Sequence, residues 1–141
     1  MTTSSSGAGV SGPRAVVAGH ADFAAALVAA VQRITGLGEA FRAVSNEGLG
    51  APEVESAIRA ALTDHGATVV FTDLPAGSCT MAARKIMRAD PTIAVVPGAS
   101  VGMLLDFAMG PDTSAESLHR AVSRGREAMM VFPAAAAASG H

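Results

Sequence analysis

Ala15-Val16-Val17-Ala18-Gly19-His20 is a short run with no polar side chain until its last position. A strand with one wet face alternates apolar and polar residues. This one does not, so both of its faces have to be covered. An Ala-rich stretch follows within two residues, with Phe23, Leu27, Val28, Val31 and Ile34 at helical spacing and Asp22 placed to favour the helix start. A doubly buried strand leading straight into an amphipathic helix is the repeating unit of a parallel sheet, which confines the chain to the α/β class. Gly19 allows a turn, and His20 falls at the carboxyl end of the strand, the edge where open α/β sheets bind ligands.

The remaining sequence repeats this alternation. Ala40 to Val44 reads as a second strand, less apolar and so nearer an edge, followed by the glycine-bearing loop Ser45 to Gly50. Pro52 opens a helix with Glu53 and Glu55 close behind, Val54, Ile58, Ala61 and Leu62 form its buried stripe, and Gly66 ends it. Thr68 to Thr72 is a third strand, ending at Asp73, and a helix is expected over Ser78 to Arg88. Ile93 to Val96 gives a fourth strand before Pro97-Gly98, and helices follow over Ser100 to Met109 and Ser114 to Glu127. Met129 to Phe132 reads as a short fifth strand or a loop packed on the core. If the strand order is 2-1-3-4, strands one and three are neighbours whose following helices leave toward opposite faces, opening a crevice between their tips. His20 and Asp73 are then brought side by side.

With 141 residues, half of them hydrophobic, the chain suits one domain with a sizeable core. Residues 13–133 are expected to form it, with Met1 to Gly12 a disordered Ser/Gly/Thr-rich tail and 134–141 a frayed one. The net charge is -2 and Lys85 is the single lysine, so the clustered basic face required by nucleic acid is lacking. One cysteine, Cys79, excludes an internal disulfide and fits a reducing compartment. No apolar run approaches the ~20 residues that span a bilayer, and residues 1–12 lack the regions of a secretory signal. A cytoplasmic protein is expected.

A carboxylate that accepts from one ring nitrogen of a histidine fixes the tautomer and leaves the other nitrogen with a free lone pair. An imidazole held in this way can accept a phosphoryl group and pass it on. Gly77 and Ser78 lie where a helix begins, so backbone N–H groups and the Ser78 hydroxyl are placed to hold phosphoryl oxygens. No metal or cofactor is implied by these residues. Plainer readings stand beside this one: His20 as an ordinary loop residue, Asp73 as a turn cap, Ser78 as an N-cap. A Ser78-His20-Asp73 hydrolase is disfavoured because no G-x-S-x-G elbow is present, and nucleotide binding because no phosphate-loop motif occurs. Cys79 reads as a core thiol, His65 as a helix-end residue and His119 as part of a solvated face. The methionines read as gap fillers or a dimer seam. Arg84, Lys85 and Arg88 make a positive face that is either merely solvated or suited to an acidic partner.

Val16-Val17-Ala18-Gly19-His20, Thr72-Asp73-Leu74-Pro75-Ala76-Gly77-Ser78 and Val96-Pro97-Gly98-Ala99-Ser100-Val101-Gly102-Met103-Leu104-Leu105 together resemble enzyme IIA of the mannose family of the bacterial sugar phosphotransferase system, over about Arg14 to Phe132. The resemblance implies a small doubly wound homodimer whose last strand, here Met129 to Phe132, lies antiparallel at the sheet edge and is often exchanged between subunits. It implies that His20 takes phosphate from the phosphocarrier protein HPr and gives it to a IIB component, that Asp73 orients it, and that Gly77 and Ser78 hold the phosphate. The chain departs from the family at Gly19, where a serine is usual, at Pro75-Ala76-Gly77, and at Ser100 and Gly102. Those departures leave room for a regulatory phosphorylation sensor of the same fold, uncoupled from transport. The phosphotransfer subunit of dihydroxyacetone kinase ranks lower, since its turn after Asp-Leu is typically Gly-Ser-Ala.

Overall fold

The computed structural model describes residues 12–134. The two expected tails therefore fall almost wholly outside the described residues.

Four parallel strands form one sheet: β1 (Ala15–Gly19), β2 (Phe41–Ser45), β3 (Val69–Thr72) and β4 (Ala94–Val96), in the order β2-β1-β3-β4. This is the 2-1-3-4 order. β1 lies in the middle with Ala15 to Gly19 all buried, paired to β2 from Ala15↔Phe41 to Gly19↔Ser45 and to β3 from Ala15↔Val69 to Ala18↔Thr72. Covered on both faces and both edges, β1 has no place for an alternating pattern. β2 is an edge strand, and its Arg42, Ala43 and Ser45 are exposed accordingly.

The helices divide between the two faces. On one side α1 (Phe23–Thr35), α4 (Val101–Met109) and α5 (Ala115–Glu127) cover a core of Val17, Leu27, Val31, Phe41, Val69, Phe71, Leu104 and Phe107. Phe71 and Phe107 meet edge to face with centroids 5.1 Å apart, and Phe41 closes the group at 5.8 Å from Phe107. On the other side α2 (Ala51–His65) and α3 (Ser78–Ala89) cover Val16, Ala18, Val70, Ile58 and Ile86. Successive residues of β1 thus feed opposite cores, each fully buried aliphatic or aromatic side chain contributing roughly 1.5–3 kcal/mol. Helix α1, which follows β1, and helix α3, which follows β3, lie on opposite faces.

Several ends match their sequence signals. Pro52 sits in the first turn of α2, and Gly36 and Gly66 close α1 and α2 in the left-handed conformation. Ser100 caps α4 by accepting from the Met103 N–H, and Ser114 caps α5 by accepting from that of Ser117. Arg14 binds the last carbonyls of α4, from Phe107, Ala108 and Gly110 at 3.0–3.3 Å, where the helix dipole favours a cation.

The expectation for Met129 to Phe132 is corrected. These residues belong to no strand, and they are not packed on the core, their exposures running from 57% at Val131 to 83% at Phe132. The reason is local. The Met129 N–H still closes a turn onto Arg126 O at 3.1 Å, so the chain is only leaving α5 where the strand is expected to begin. An antiparallel fifth strand is not seen among the described residues.

Candidate functional site

Three neighbouring strands end at one edge, and each delivers a residue there. β1 runs into His20, β2 into Asn46 and β3 into Asp73.

His20 is held by a compact turn. Ala21 takes a left-handed backbone with φ 50°, uncommon outside glycine. The Ser45 hydroxyl donates to Ala21 O at 2.8 Å, the Phe23 N–H donates to His20 O at 3.0 Å, and the Asn46 N–H donates to Gly19 O at 3.1 Å. The turn at His20 is thereby fastened to the end of β2 as well as to the start of α1.

Asp73 Oδ2 accepts from the His20 backbone N–H at 2.9 Å and lies 2.7 Å from His20 Nδ1. A carboxylate can only accept, so Nδ1 carries the proton and Nε2 keeps its lone pair. The His20 side chain is 51% exposed and that of Asp73 only 10%, so the steering group is sheltered while the ring is open to a partner. Burial works to raise the Asp73 carboxyl. The hydrogen bonds from the His20 ring and backbone outweigh it and hold the group below its ordinary range. Its other oxygen, Oδ1, is buried and makes no hydrogen bond among the described residues.

The turn after Asp73 brings Gly77 against the ring. A Cβ at Gly77 would stand 3.1 Å from His20 Cε1, the carbon between the two ring nitrogens. Gly77, extended at φ -124° and ψ 175°, is the N-cap of α3, and Ser78 is the first helical residue. The reading of Ser78 as an N-cap is therefore corrected: the cap is Gly77, and its backbone carbonyl accepts from the Met81 N–H at 2.9 Å. The first N–H groups of α3 have no intrahelical partner, and the Ser78 hydroxyl accepts instead from Asn46 Nδ2 at 2.7 Å.

Beneath the turn, Thr72 and Thr80 are fully buried with their hydroxyls 2.6 Å apart, and the Thr80 hydroxyl also bonds Leu74 O. This pair fixes the loop that carries Asp73. Cys79 is buried beside it. Burial, with the Asp73 charge adding to it, pushes its thiol up to about 11, so it is a core thiol. Lys85, part of the basic face of α3, is engaged with Glu55 of α2 at 3.3 Å.

Two of the departures from the family pattern have local causes. A Cβ at Gly19 would stand 2.6 Å from Phe23 Cδ2 and 3.0 Å from Asp73 Oδ2, so the Phe23 ring fills the space that a serine would need. Ser100 serves as the N-cap of α4.

The structure thus brings His20, Asp73, Gly77 and Ser78 to one place. Asn46 and Ser45 belong there too, although by sequence pattern alone they read as part of the loop Ser45 to Gly50. Their signal was available in the parallel order, since the residues that end β2 share an edge with His20. Among the described residues no group of three or more histidine, cysteine, aspartate or glutamate side chains is placed to hold a metal, and no helix is long and apolar enough to cross a membrane.

The chain is a doubly wound α/β domain whose switch point carries a half-exposed histidine, held by a carboxylate, beside a helix N-terminus, the edge at which open α/β sheets bind ligands. Residues 14–124 match the family described as the phosphotransferase system fructose IIA component, and the chain belongs to that family, the mannose-type enzymes IIA. Solved structures agree in fold. The phosphotransferase system component EIIA from Streptococcus agalactiae is 17% identical with TM-score 0.76, covering 84% of this chain and 96% of that one. The mannose/sorbose-specific IIA subunit from Enterococcus faecalis is 22% identical with TM-score 0.73, covering 86% and 95%. The IIA protein associated with the fucose utilization operon of Streptococcus pneumoniae is 19% identical with TM-score 0.73, covering 85% and 93%. No curated protein sequence matches the chain.

Proposed function

We propose that this protein is a phosphohistidine carrier of a sugar phosphotransferase system, taking phosphate from HPr onto His20 and passing it to a IIB component. The observation that carries the reading is the 2.7 Å contact between His20 Nδ1 and Asp73 Oδ2. It leaves Nε2 as the nucleophile on a half-exposed ring. The Nε2 lone pair attacks phosphorus, a new P–N bond forms, and the bond between phosphorus and the donor breaks with its electron pair staying on the donor. The Nδ1 proton remains between His20 and Asp73, whose negative charge offsets the positive charge that develops on the ring. Free N–H groups at the start of α3, with Gly77 and Ser78, receive the phosphoryl oxygens. The chemistry reverses toward IIB without redesign, because the site only positions and neutralises.

Family membership supports HPr and IIB as partners and a cytoplasmic site of action. The exposed Leu74 and Met81, on the turn and the first part of α3, offer apolar contact to a partner at this end of α3. A homodimer suits the exposed Met129 to Phe132, and residues 13–133 are the proposed extent of the functional unit. Incubation with phosphoenolpyruvate, enzyme I and HPr is expected to add one acid-labile, alkali-stable phosphate at His20, transferable to IIB. Label that persists unchanged in His20→Ala overturns the reading. Label on His20 that no IIB component accepts favours the regulatory sensor.

A further inference from the structure

We infer that Asn46 is a positioning residue for phosphoryl transfer, acting by setting the direction of the Ser78 hydroxyl. The inference rests on the phosphohistidine reading and assigns a role to a residue outside the His20–Asp73 pair and the Gly77–Ser78 turn.

Asn46 is fixed on both sides before its side chain is considered. Its N–H donates to Gly19 O at 3.1 Å, and its own carbonyl accepts from the Leu49 N–H at 3.1 Å. The amide is thus held at the tip of the edge strand next to β1, and from there Nδ2 donates to Ser78 Oγ at 2.7 Å. Ser78 joins the Gly77 turn that lies against His20 Cε1. Asn46, Ser78 and the Gly77 turn thus follow one another along the sheet edge beside the ring that Asp73 holds.

The consequence follows from counting protons. A serine hydroxyl has one O–H to donate and lone pairs to accept with. An amide N–H can only donate, so Ser78 is the acceptor in this contact and its own proton is not used by Asn46. A phosphoryl group on His20 supplies oxygens that can accept it, and a hydroxyl already aligned by Asn46 pays less to meet them than a free rotor does. Charge-assisted bonds of this kind are about twice as strong as neutral ones. A carboxylate at position 46 reverses the arrangement: it accepts the Ser78 proton, withdraws it from the phosphoryl oxygens and adds a like charge beside them. The plainer role, tying the β2–α2 loop to α3, predicts a loss of stability and no dependence on the Ser78 hydroxyl in transfer.

The test uses the full chain with phosphoramidate as donor, so that no partner protein is needed. Nε2 attacks phosphorus, the donor P–N bond breaks and ammonia leaves. The rate of phosphoryl uptake at His20 is followed by mass spectrometry, with His20→Ala as background, and the lifetime of the product by phosphorus NMR. Asn46→Ala is expected to slow uptake about 3- to 10-fold, the size of one ordinary net hydrogen bond, because the Ser78 bond to the phosphoryl group loses its alignment and is not removed, and Asn46→Asp more strongly. In a Ser78→Ala background, Asn46→Ala is expected to cost nothing further. Thermal melts of the same samples separate folding from transfer. Uptake in Asn46→Asp equal to the unsubstituted chain, or an Asn46→Ala loss of the same size with and without the Ser78 hydroxyl, overturns the inference. Uptake from phosphoramidate at His20 without uptake from HPr removes the carrier reading and leaves this one standing. Absence of uptake at His20 from either donor removes both.

Discussion

One oxygen of Asp73 grips His20 twice, accepting the backbone N–H at 2.9 Å and facing ring Nδ1 at 2.7 Å, while the other oxygen is buried without a partner. The carboxylate therefore fixes both where the histidine begins and which of its nitrogens is free. It does so from a side chain that is nine-tenths buried.

Asp73→Asn tests that division of labour. If the amide oxygen takes the place of Oδ2, the NH2 group lands in the buried, unpartnered position of Oδ1. If the amide turns over, it presents a donor to two donors. Either outcome weakens tautomer control, and phosphoryl uptake from HPr is expected to fall by up to about 10⁴-fold, the loss known for a histidine whose steering carboxylate is made neutral. Quench-flow labelling measures it, and a rate within threefold of the unsubstituted chain contradicts the role given to Asp73.

Gly19→Ala is expected to destabilise through overpacking, because its Cβ meets Phe23 Cδ2 at 2.6 Å. The cost is roughly 1–3 kcal/mol, and shortening Phe23 to Val in the same chain is expected to recover part of it. Urea unfolding of the single and double variants reads both. Equal stability of Gly19→Ala and the parent excludes the Phe23 ring as the reason for glycine here.

Asp112 ties the start of α5. Its Oδ1 accepts from the Ser117 hydroxyl at 2.6 Å and from the Ser114 hydroxyl and N–H at 2.7 and 3.1 Å, which lowers its carboxyl from 3.8 to about 2. A depressed folded value means that the contribution is complete above pH 3.8 and disappears as pH falls toward about 2. Asp112→Asn is expected to melt lower than the parent at neutral pH, with the gap closing in that acid window. A gap that stays constant down to pH 2 rules out ionisation as its origin.

Cys79 is expected to resist thiol reagents in the folded protein, since it is fully buried and its thiol is pushed up to about 11. Labelling with an aromatic disulfide at pH 8 checks this. Reaction faster than global unfolding would place the thiol at the surface.

Much of the fold was legible because each element signals itself locally. The unbroken apolar run of β1, Pro52 opening α2, and the glycines at 36 and 66 each act through their immediate neighbours, and strand alternation with helices then leaves few ways to order a parallel sheet. The pairing of His20 with Asp73 could be anticipated as soon as the order was taken as 2-1-3-4. Met129 to Phe132 differs because an apolar stretch is compatible with a strand whether or not one is paired, and none of the described residues pairs it.

By itself, then, the sequence determined the α/β class, the doubly covered β1 and the strand tips that carry His20 and Asp73, since burial period and turn chemistry are properties of adjacent residues. Tertiary structure alone decided that Asn46 meets Ser78, that Phe23 occupies the space beside Gly19, and that Thr80 braces the Asp73 turn. Those contacts join residues through the register of neighbouring elements, and a hydrogen bond of 2.7 Å, or the 2.6 Å that would separate a Cβ at Gly19 from Phe23 Cδ2, depends on distances that no local pattern encodes.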